Sequence, residues 1–430
     1  MTRFDYKNTV RELESRGIMP DGPPSLDKTH EGLRRILPEN KINPESVIVV
    51  AGTNGKGSVC ASLEALLLST GKRIGLYTSP HLVETTERIR VNGIDVSQNL
   101  FCEAYAEIKS KTCDLKLTHF EVLTLMAAWI FFSGVKANPV DYAIFEVGLG
   151  GTWDATNAIP HQHCIITSLG YDHQNLLGKT IQEIAQNKFG IVHNGAIVTH
   201  ATLPQEVIHL AQQVRSATHS YWKESISYDF EVIPSRAEPQ FLLHCAWGST
   251  SLNLPGARGA QNSALALTAF ERLGFSPREH LGALSQVRWP GRMEKITLHG
   301  ARCPVFISGD HNPQGVQSLL QILPHYSRKH LHVLVGIAKD KDFHEILSIL
   351  SSIPDSSLYL TETPFKGLPL ANYGSWLTKA KAASQNPEEA FKRILEFASP
   401  DDMILVTGSL YLVGLFKEKA SNFVSASDAS

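Results

Sequence analysis

Apolar residues along this chain gather in short continuous runs that alternate with amphipathic stretches. SVIVV (46–50) leads into a glycine-rich turn and the helix-like CASLEALLLS; RIGLYTS (73–79), DYAIFEVG (141–148) and HCIITS (163–168) follow, each set off by helical or loop sequence. Continuous rather than alternating runs are what strands buried on both faces of a parallel sheet require. Helices predicted at 98–110, 119–134 and 180–190 would cover that sheet. At 220–255 the pattern changes to short alternating stretches such as YDFEVI and FLLHCAW, which predict an antiparallel patch. A second block repeats the rhythm, with strands predicted in PVFISG (304–309), HLHVLVGI (330–337), SLYLTE (357–362) and DDMILVTG (401–408), and helices at 313–322, 341–351, 387–398 and 409–418. Between the blocks, SQVRWPGRMEKI (285–296) breaks periodicity at its Pro-Gly pair and reads as a linker. The expectation is an α/β chain of two domains, a larger one over 1–290 and a smaller one over 297–418, with 419–430 as a flexible tail.

Composition narrows the class. The 430 residues suffice for more than one hydrophobic core without a disulfide or metal staple. Forty Lys and Arg against 42 Asp and Glu give a net charge of -2, which argues against a dedicated nucleic-acid binder. Hydrophobic content of 43% excludes a disordered chain. The six cysteines are scattered with no CxxC pair, so reduced thiols and a cytoplasmic setting are expected. The opening MTRFDYKNTVRELESRG is charged throughout, which argues against a signal peptide, and the most apolar run, 122–132, is too short to span a bilayer and reads as a buried helix.

Candidate chemistry sits at the strand ends. VIVVAGTNGKGS (47–58) runs from a strand through a glycine-rich turn into a helix. Glycines let backbone N–H groups converge on phosphate oxygens, and the helix N-terminus adds partial positive charge. Lys56 would reach the terminal phosphates and Ser58 the accompanying magnesium ion. The fit to GxxxxGK[ST] is imperfect, because Val50 stands at the first glycine and Gly57 separates Lys56 from Ser58; a plain glycine-rich turn with an exposed lysine is the alternative. A second cluster, FEVGLGGTWDATN (145–157), lacks the last glycine of a dinucleotide fingerprint, since Trp153 occupies it. Glu146, at a strand's C-terminal end, suits a magnesium ligand or an ion-pair partner. Asp172 and His173 in TSLGYDHQNLLG (167–178) could join a cation site or be surface loop residues. The HQHC of 161–164 has no zinc-site spacing. SGDHNP (308–313) and TGSLY (407–411) place small polar residues at strand ends of the second block, as helix caps or as parts of a ligand cleft between domains.

Taken in order, AGTNGKGS, TSPHLVETTERIRVNG, THFEVLT, EVGLGGTWDATN, the DH of SLGYDHQNLLG, NKFGI, LPG…N, WPGRME, DHNPQG, KDKD and GSLYLVG resemble the folylpolyglutamate synthase/dihydrofolate synthase family, within the Mur-type ATP-dependent ligases. The resemblance spans about residues 25 to 418. Gly57-Ser58 and the SPH…ERIRVNG segment favour the folate branch over the alternative, a cell-wall Mur ligase. It implies a P-loop Mur-ligase-type domain with a mainly parallel sheet plus a smaller Rossmann-like C-terminal domain. The implied reaction joins L-glutamate to dihydropteroate or to reduced folates at the expense of ATP, in a monomer that binds neither nucleic acid nor membrane.

The resemblance also implies roles. Asn54, Gly55, Lys56, Gly57 and Ser58 would hold the triphosphate, with Asn262 and Arg292 as further ATP contacts. Ser79, Glu146 and His173 resemble magnesium ligands, and Lys188 occupies the place of a carbamylated lysine. Thr118, His119, Phe120 and Glu121, with Trp153, Asp154 and Ala155, resemble pteroate-binding segments. His311 and Ser409 resemble residues that orient glutamate. Two departures stand out. Arg258 and Gly259 replace the His and Gln of LPGxHQxxN, and Ser308 and Asp310 replace the Asp and Ala of DxAHNP, where a nucleotide or glutamate contact is expected.

Overall fold

The computed structural model describes residues 5–17, 24–135, 138–235 and 238–427. By packing, the chain divides into two units. The first runs to Asp229 and adds Leu243–Thr250 and Gln261–Val287; the second takes Phe230–Leu242, Ser251–Ala260 and the chain from Arg288 onward.

The first unit is built on an eight-stranded sheet. Its strands are β1 (Val47–Ala51), β2 (Ile74–Tyr77), β3 (Ile89–Val91), β4 (Ile94–Asp95), β5 (Tyr142–Glu146), β6 (His163–Ile166), β7 (Ile197–His200) and β8 (Tyr221–Glu224), in the order β4-β3-β2-β5-β1-β6-β7-β8. β1 lies between β5 and β6, parallel to both, and every residue of it is buried. This is the environment its continuous apolar run calls for, since helices cover both faces of such a sheet. Only the β3–β4 hairpin runs antiparallel, at one edge. The apolar run 122–132 is buried nearly all round within the helix His119–Phe132. Thr118 caps that helix and Glu121 reaches back to the Thr118 amide, a reciprocal box that satisfies first-turn donors.

The alternating stretch at 220–255 splits. β8 extends the parallel sheet beside β7, contrary to the antiparallel expectation for its residues. Its edge position explains the misreading: Tyr221, Lys223 and Glu224 are exposed and leave a half-polar pattern. The rest forms a separate three-stranded sheet, β9 (Tyr228–Ile233), β10 (Gln240–Cys245) and β11 (Gly248–Leu252), in the order β11-β10-β9.

The second unit carries a six-stranded sheet of β12 (Glu294–Ile296), β13 (Val305–Ser308), β14 (Leu331–Val335), β15 (Ser356–Thr361), β16 (Ala382–Ser384) and β17 (Met403–Thr407), ordered β12-β13-β17-β14-β15-β16. All pairs are parallel except β12 with β13. The stretch read as a linker thus ends in an edge strand, which turns at Gly291, where the Gly291 amide is held by Glu294. The last helix runs Leu410–Ser427, past the end at 418 that the pattern predicts and through most of the expected tail; 428–430 lie outside the described residues. All six cysteines are free, and among the described residues no helix is long and apolar enough to cross a membrane.

Candidate active site

The turn after β1 is closed by geometry that only glycine permits. Gly52 has φ +148°, and a Cβ on it would fall 1.8 Å from Thr167 Oγ1. Gly55, at φ +90°, begins the helix Lys56–Leu68 without any side-chain cap, so the amides of its first turn (Lys56, Gly57 and Ser58) face outward as anion donors. A Cβ on Gly55 would sit 2.4 Å from Asn262 Oδ1, so the loop and the buried Asn262 are in direct approach. The end of β6 pins the turn: Thr167 and Ser168 hydroxyls donate to the Asn54 carbonyl at 2.8 and 3.1 Å, and the Thr53 amide donates to Ser168 O at 2.7 Å. Thr167 and Ser168 were not among the predicted site residues. Their signal was the TSLG at the end of a buried strand, which a phosphate-loop search does not reach.

Two lysines converge on this turn. Lys56 Nζ donates to Gly52 O at 3.2 Å and Thr53 O at 3.3 Å. Lys188, near the end of the helix Ile181–Phe189, donates from Nζ to the same Gly52 carbonyl at 2.8 Å. Lys188 is almost fully buried. Burial first, and the Lys56 charge second, push its pKa down from the ordinary 10.5 to about 7, against the opposing pull of Asp172 and Asp154. One strand over, β5 places Glu146 opposite Val50 of β1. The Glu146 carboxylate is buried and accepts the Ser79 amide at 3.0 Å, so Ser79 and Glu146 are neighbours.

His173 lies in the loop beyond β6. It opens the short helix Gln174–Leu177 in the left-handed region, and its amide donates to Asp172 Oδ1 at 2.9 Å. Among the described residues no group of three His, Cys, Asp or Glu is placed to hold a metal. His161 and Cys164 both direct polar atoms to Ile191 O, at 2.9 and 3.2 Å.

Phe120 packs against Gly148, in the loop that leads to Trp153–Ala155, and against Tyr77. A Cβ on Gly148 would lie 2.7 Å from the Phe120 ring, and Phe120 packs 5.7 Å from the Tyr77 ring. Much of the predicted set here is structural. Glu121 is committed to the helix cap and to the Thr29 hydroxyl at 3.1 Å. His119 Nδ1 meets Leu13 O at 3.2 Å, and burial together with Arg88 pushes its pKa down to about 4. Asp154 is buried, and its two oxygens accept from the amides of Gly148, Leu149 and Thr156 and from the Thr156 hydroxyl. Ala155 is buried too, which leaves Trp153, 55% exposed, as the side chain of that trio presented to solvent.

In the second unit, adjacent parallel strands β13 and β17 bring the two polar strand-end clusters together. Ser308 sits in register with Thr407, the Thr407 hydroxyl donates to Ser308 O at 2.8 Å, and the Gly408 amide donates to Asp310 O at 3.1 Å. Ser409 is buried and accepts the Tyr411 amide at 3.2 Å; His311 Nδ1 meets Gly309 O at 3.0 Å. Asp310 is buried, takes the Ser308 hydroxyl at 2.7 Å, and faces Arg258 at 3.3 Å and Arg292 at 3.9 Å.

A glycine turn with a helix-borne lysine, on a parallel sheet followed by a second α/β sheet, is the frame of a phosphate-loop protein, and comparison with known families narrows the class to a Mur-type ligase. Residues 50–270 match the Mur ligase middle domain and residues 291–410 the Mur ligase, glutamate ligase domain. The chain is 30% identical over 417 residues to the dihydrofolate synthase/folylpolyglutamate synthase of Bacillus subtilis (strain 168), across 92% of this chain and 95% of that protein. It is 31% identical over 375 residues to the protein of the same name from Escherichia coli (strain K12), across 85% of each. The structure of E. coli FolC in complex with DHPP and ADP superposes with a TM-score of 0.82 at 26% identity, covering 99% of this chain and 98% of that one. Mycobacterium tuberculosis folylpolyglutamate synthase complexed with ADP gives 0.82 at 26% identity, covering 96% and 98%. The chain belongs to the dihydrofolate synthase/folylpolyglutamate synthase family of ATP-dependent, amide-forming ligases.

Proposed function

We propose that this chain uses ATP to join L-glutamate to dihydropteroate, to reduced folates, or to both. The observation that carries the reading is the convergence of Lys56 and Lys188 on the Gly52 carbonyl, at a phosphate-type loop with Glu146 one strand away. A carboxylate resists attack by an amine because its oxygen is a poor leaving group. Transfer of the γ-phosphoryl to that oxygen gives an acyl phosphate; the glutamate amine then adds to the carbonyl carbon, and the C–O bond to phosphate breaks. Positioning and charge neutralisation supply most of the catalysis in such chemistry.

The roles are those that the family resemblance implies for these positions. Asn54, Gly55, Gly57 and Ser58 present backbone and hydroxyl donors to the phosphates, and Lys56 leaves its loop carbonyls for them. Asn262, Arg292, Ser308 and Asp310 serve the nucleotide. His311 and Ser409 orient glutamate. Phe120 and Trp153 offer aromatic surface to the pteridine or aminobenzoyl ring, while Thr118, His119, Glu121, Asp154 and Ala155 shape the loops beneath. The phosphate chemistry belongs to the segment up to about 290, while 297–418 supplies amino-acid binding together with the nucleotide contacts of Ser308 and Asp310, in a cytoplasmic monomer.

The chemistry of the set suits Mg2+ in part: Glu146 and Ser79, neighbours through the Ser79 amide, carry the carboxylate and hydroxyl oxygens a hard cation prefers, and His173 would be the third ligand by the family resemblance. Mg2+ held there supplies charge neutralisation to the phosphates. Lys188 fits a carbamate in one respect: burial favours the neutral amine, which is the form that adds CO2. As a carbamate its nitrogen would keep one N–H for the Gly52 carbonyl, and its two oxygens would turn away from that acceptor. The test offers purified protein ATP, magnesium and labelled glutamate with dihydropteroate or tetrahydrofolate separately. ADP release that requires both glutamate and one of these acceptors is expected. Release only with a nucleotide-linked muramoyl acceptor would overturn the proposal in favour of a cell-wall ligase.

A further inference from the structure

We infer that Arg258 is a positioning residue for the reaction: with Ser308 it holds Asp310, and Asp310 in turn sets the guanidinium of Arg292. The inference rests on the reading of Arg292 as a nucleotide contact. Arg258 and Asp310 are two of the positions at which the chain departs from its family pattern, and the structure joins them.

The carboxylate of Asp310 is 8% exposed. Leaving such a charge buried without full pairing is costly. Its Oδ2 accepts the Ser308 hydroxyl at 2.7 Å, and its Oδ1 faces Arg258 at 3.3 Å. Arg258 is fastened at a second point, donating from its other arm to Gln314 O at 2.6 Å. Arg292 approaches the same Oδ1 only at 3.9 Å, too far for a hydrogen bond. One arginine is therefore bound in place, and the other is held near by charge without a hydrogen bond to the carboxylate. Asp310 lies against Gly315, where a Cβ would come within 3.1 Å of its Oδ1, so the carboxylate occupies space that the glycine leaves open.

Removal of Arg258 leaves the buried carboxylate with Arg292 as its nearest cation. Arg292 then closes onto Asp310 and is withdrawn from an anionic substrate. Removal of Asp310 takes away the charge that holds Arg292 beside Arg258, and the two guanidinium groups repel. Removal of both relieves the competition and the repulsion together. The two positions are thus interdependent in a way that two independent contacts are not.

The experiment is a double-mutant cycle of Arg258→Ala and Asp310→Ala, with Arg292→Ala in parallel, read by KM for ATP, KM for glutamate and kcat. Asp310→Asn, which keeps the shape, replaces the alanine variant should that one lose its folded circular dichroism. Arg258→Ala and Asp310→Ala are each expected to raise KM for ATP about tenfold with a smaller change in kcat, the size of one charge-assisted hydrogen bond. The double variant is expected to be no worse than the poorer single, and Arg258→Lys to recover part of the loss. Additive losses in the double variant, or losses confined to melting temperature, overturn the positioning role. If Arg292→Ala leaves KM for ATP unchanged while the other two remain interdependent in KM for glutamate, the nucleotide reading of Arg292 fails and the positioning role stands.

Discussion

Replacement of Lys188 by methionine separates what this buried amine costs the fold from what it does for the reaction. The side chain is 4% exposed, and its amine titrates near 10.5 when unfolded but near 7 in place. Between those values the folded chain binds fewer protons than the unfolded chain, so stability rises with pH from about 7 to about 10.5 and the penalty is complete below 7. At the free-energy value of each pKa unit, that penalty is roughly 4–5 kcal/mol. Methionine matches the length without the charge. It gives up one hydrogen bond, worth about 1 kcal/mol, to a carbonyl that Lys56 still serves. The variant should therefore be more stable than the parent by about 3–4 kcal/mol at pH 7, with the difference shrinking toward pH 10. Turnover should nevertheless fall by at least about a hundredfold, the scale of a lost electrostatic contact in an active site. Urea unfolding across a pH series, alongside steady-state turnover, measures both. A variant less stable at pH 7, or a stability difference that does not move with pH, refutes the burial argument; near-parent turnover in the folded variant refutes the catalytic role.

Three further outcomes follow from the same geometry. Gly52→Ala forces a side chain into φ +148° and onto Thr167 Oγ1, so chemical unfolding should show a loss of about 3 kcal/mol or more, of which Thr167→Ala in the same chain recovers only part. Gly259→Gln, which restores the family's residue, should destabilise by about 1–3 kcal/mol despite the better helix former, because its Cβ would meet the Leu254 carbonyl oxygen at 2.2 Å; an unchanged unfolding midpoint contradicts this. Glu64 is pushed up to about 7 by burial, although Arg90 lies 2.5 Å away and pulls the other way. The folded chain holds the extra proton between 4.5 and 7, so stability contributed by Glu64 is lost as pH rises through 7. Relative to Glu64→Gln, the parent should lose roughly 2–3 kcal/mol over that window, and parallel pH profiles would disprove it.

How much of this was legible in the residues depended on how local each signal was. β1, β5, β13, β14 and β17 announce themselves because burial on both faces demands unbroken apolar runs. Strands β3, β4, β8, β12 and β16, all but β3 at sheet edges, are short and half-polar, and their pairing is decided by the sheet they join; the sequence pattern puts β8 in an antiparallel patch and β12 in a linker, and marks none of the other three. At the candidate site, the phosphate-type turn is contiguous and readable. Its second lysine arrives from 136 residues away and its Thr167 clamp from 113, separations at which no spacing rule operates. Asp154 enters the candidate site through the resemblance of Trp153–Ala155 to a pteroate-binding segment; the fold adds that its oxygens accept from loop amides. Arg258 and Asp310, read singly, were two unexplained departures, and their contact across 52 residues makes them one feature.

The central claim, that a carboxylate is activated by phosphoryl transfer before glutamate attacks, is tested most directly by the fate of the carboxylate oxygen. The acceptor is supplied with its reactive carboxylate enriched in oxygen-18, together with ATP and glutamate, and the released inorganic phosphate is weighed by mass spectrometry. An acyl phosphate predicts one labelled oxygen in each phosphate formed alongside amide product. Unlabelled phosphate accompanying amide formation would contradict the account.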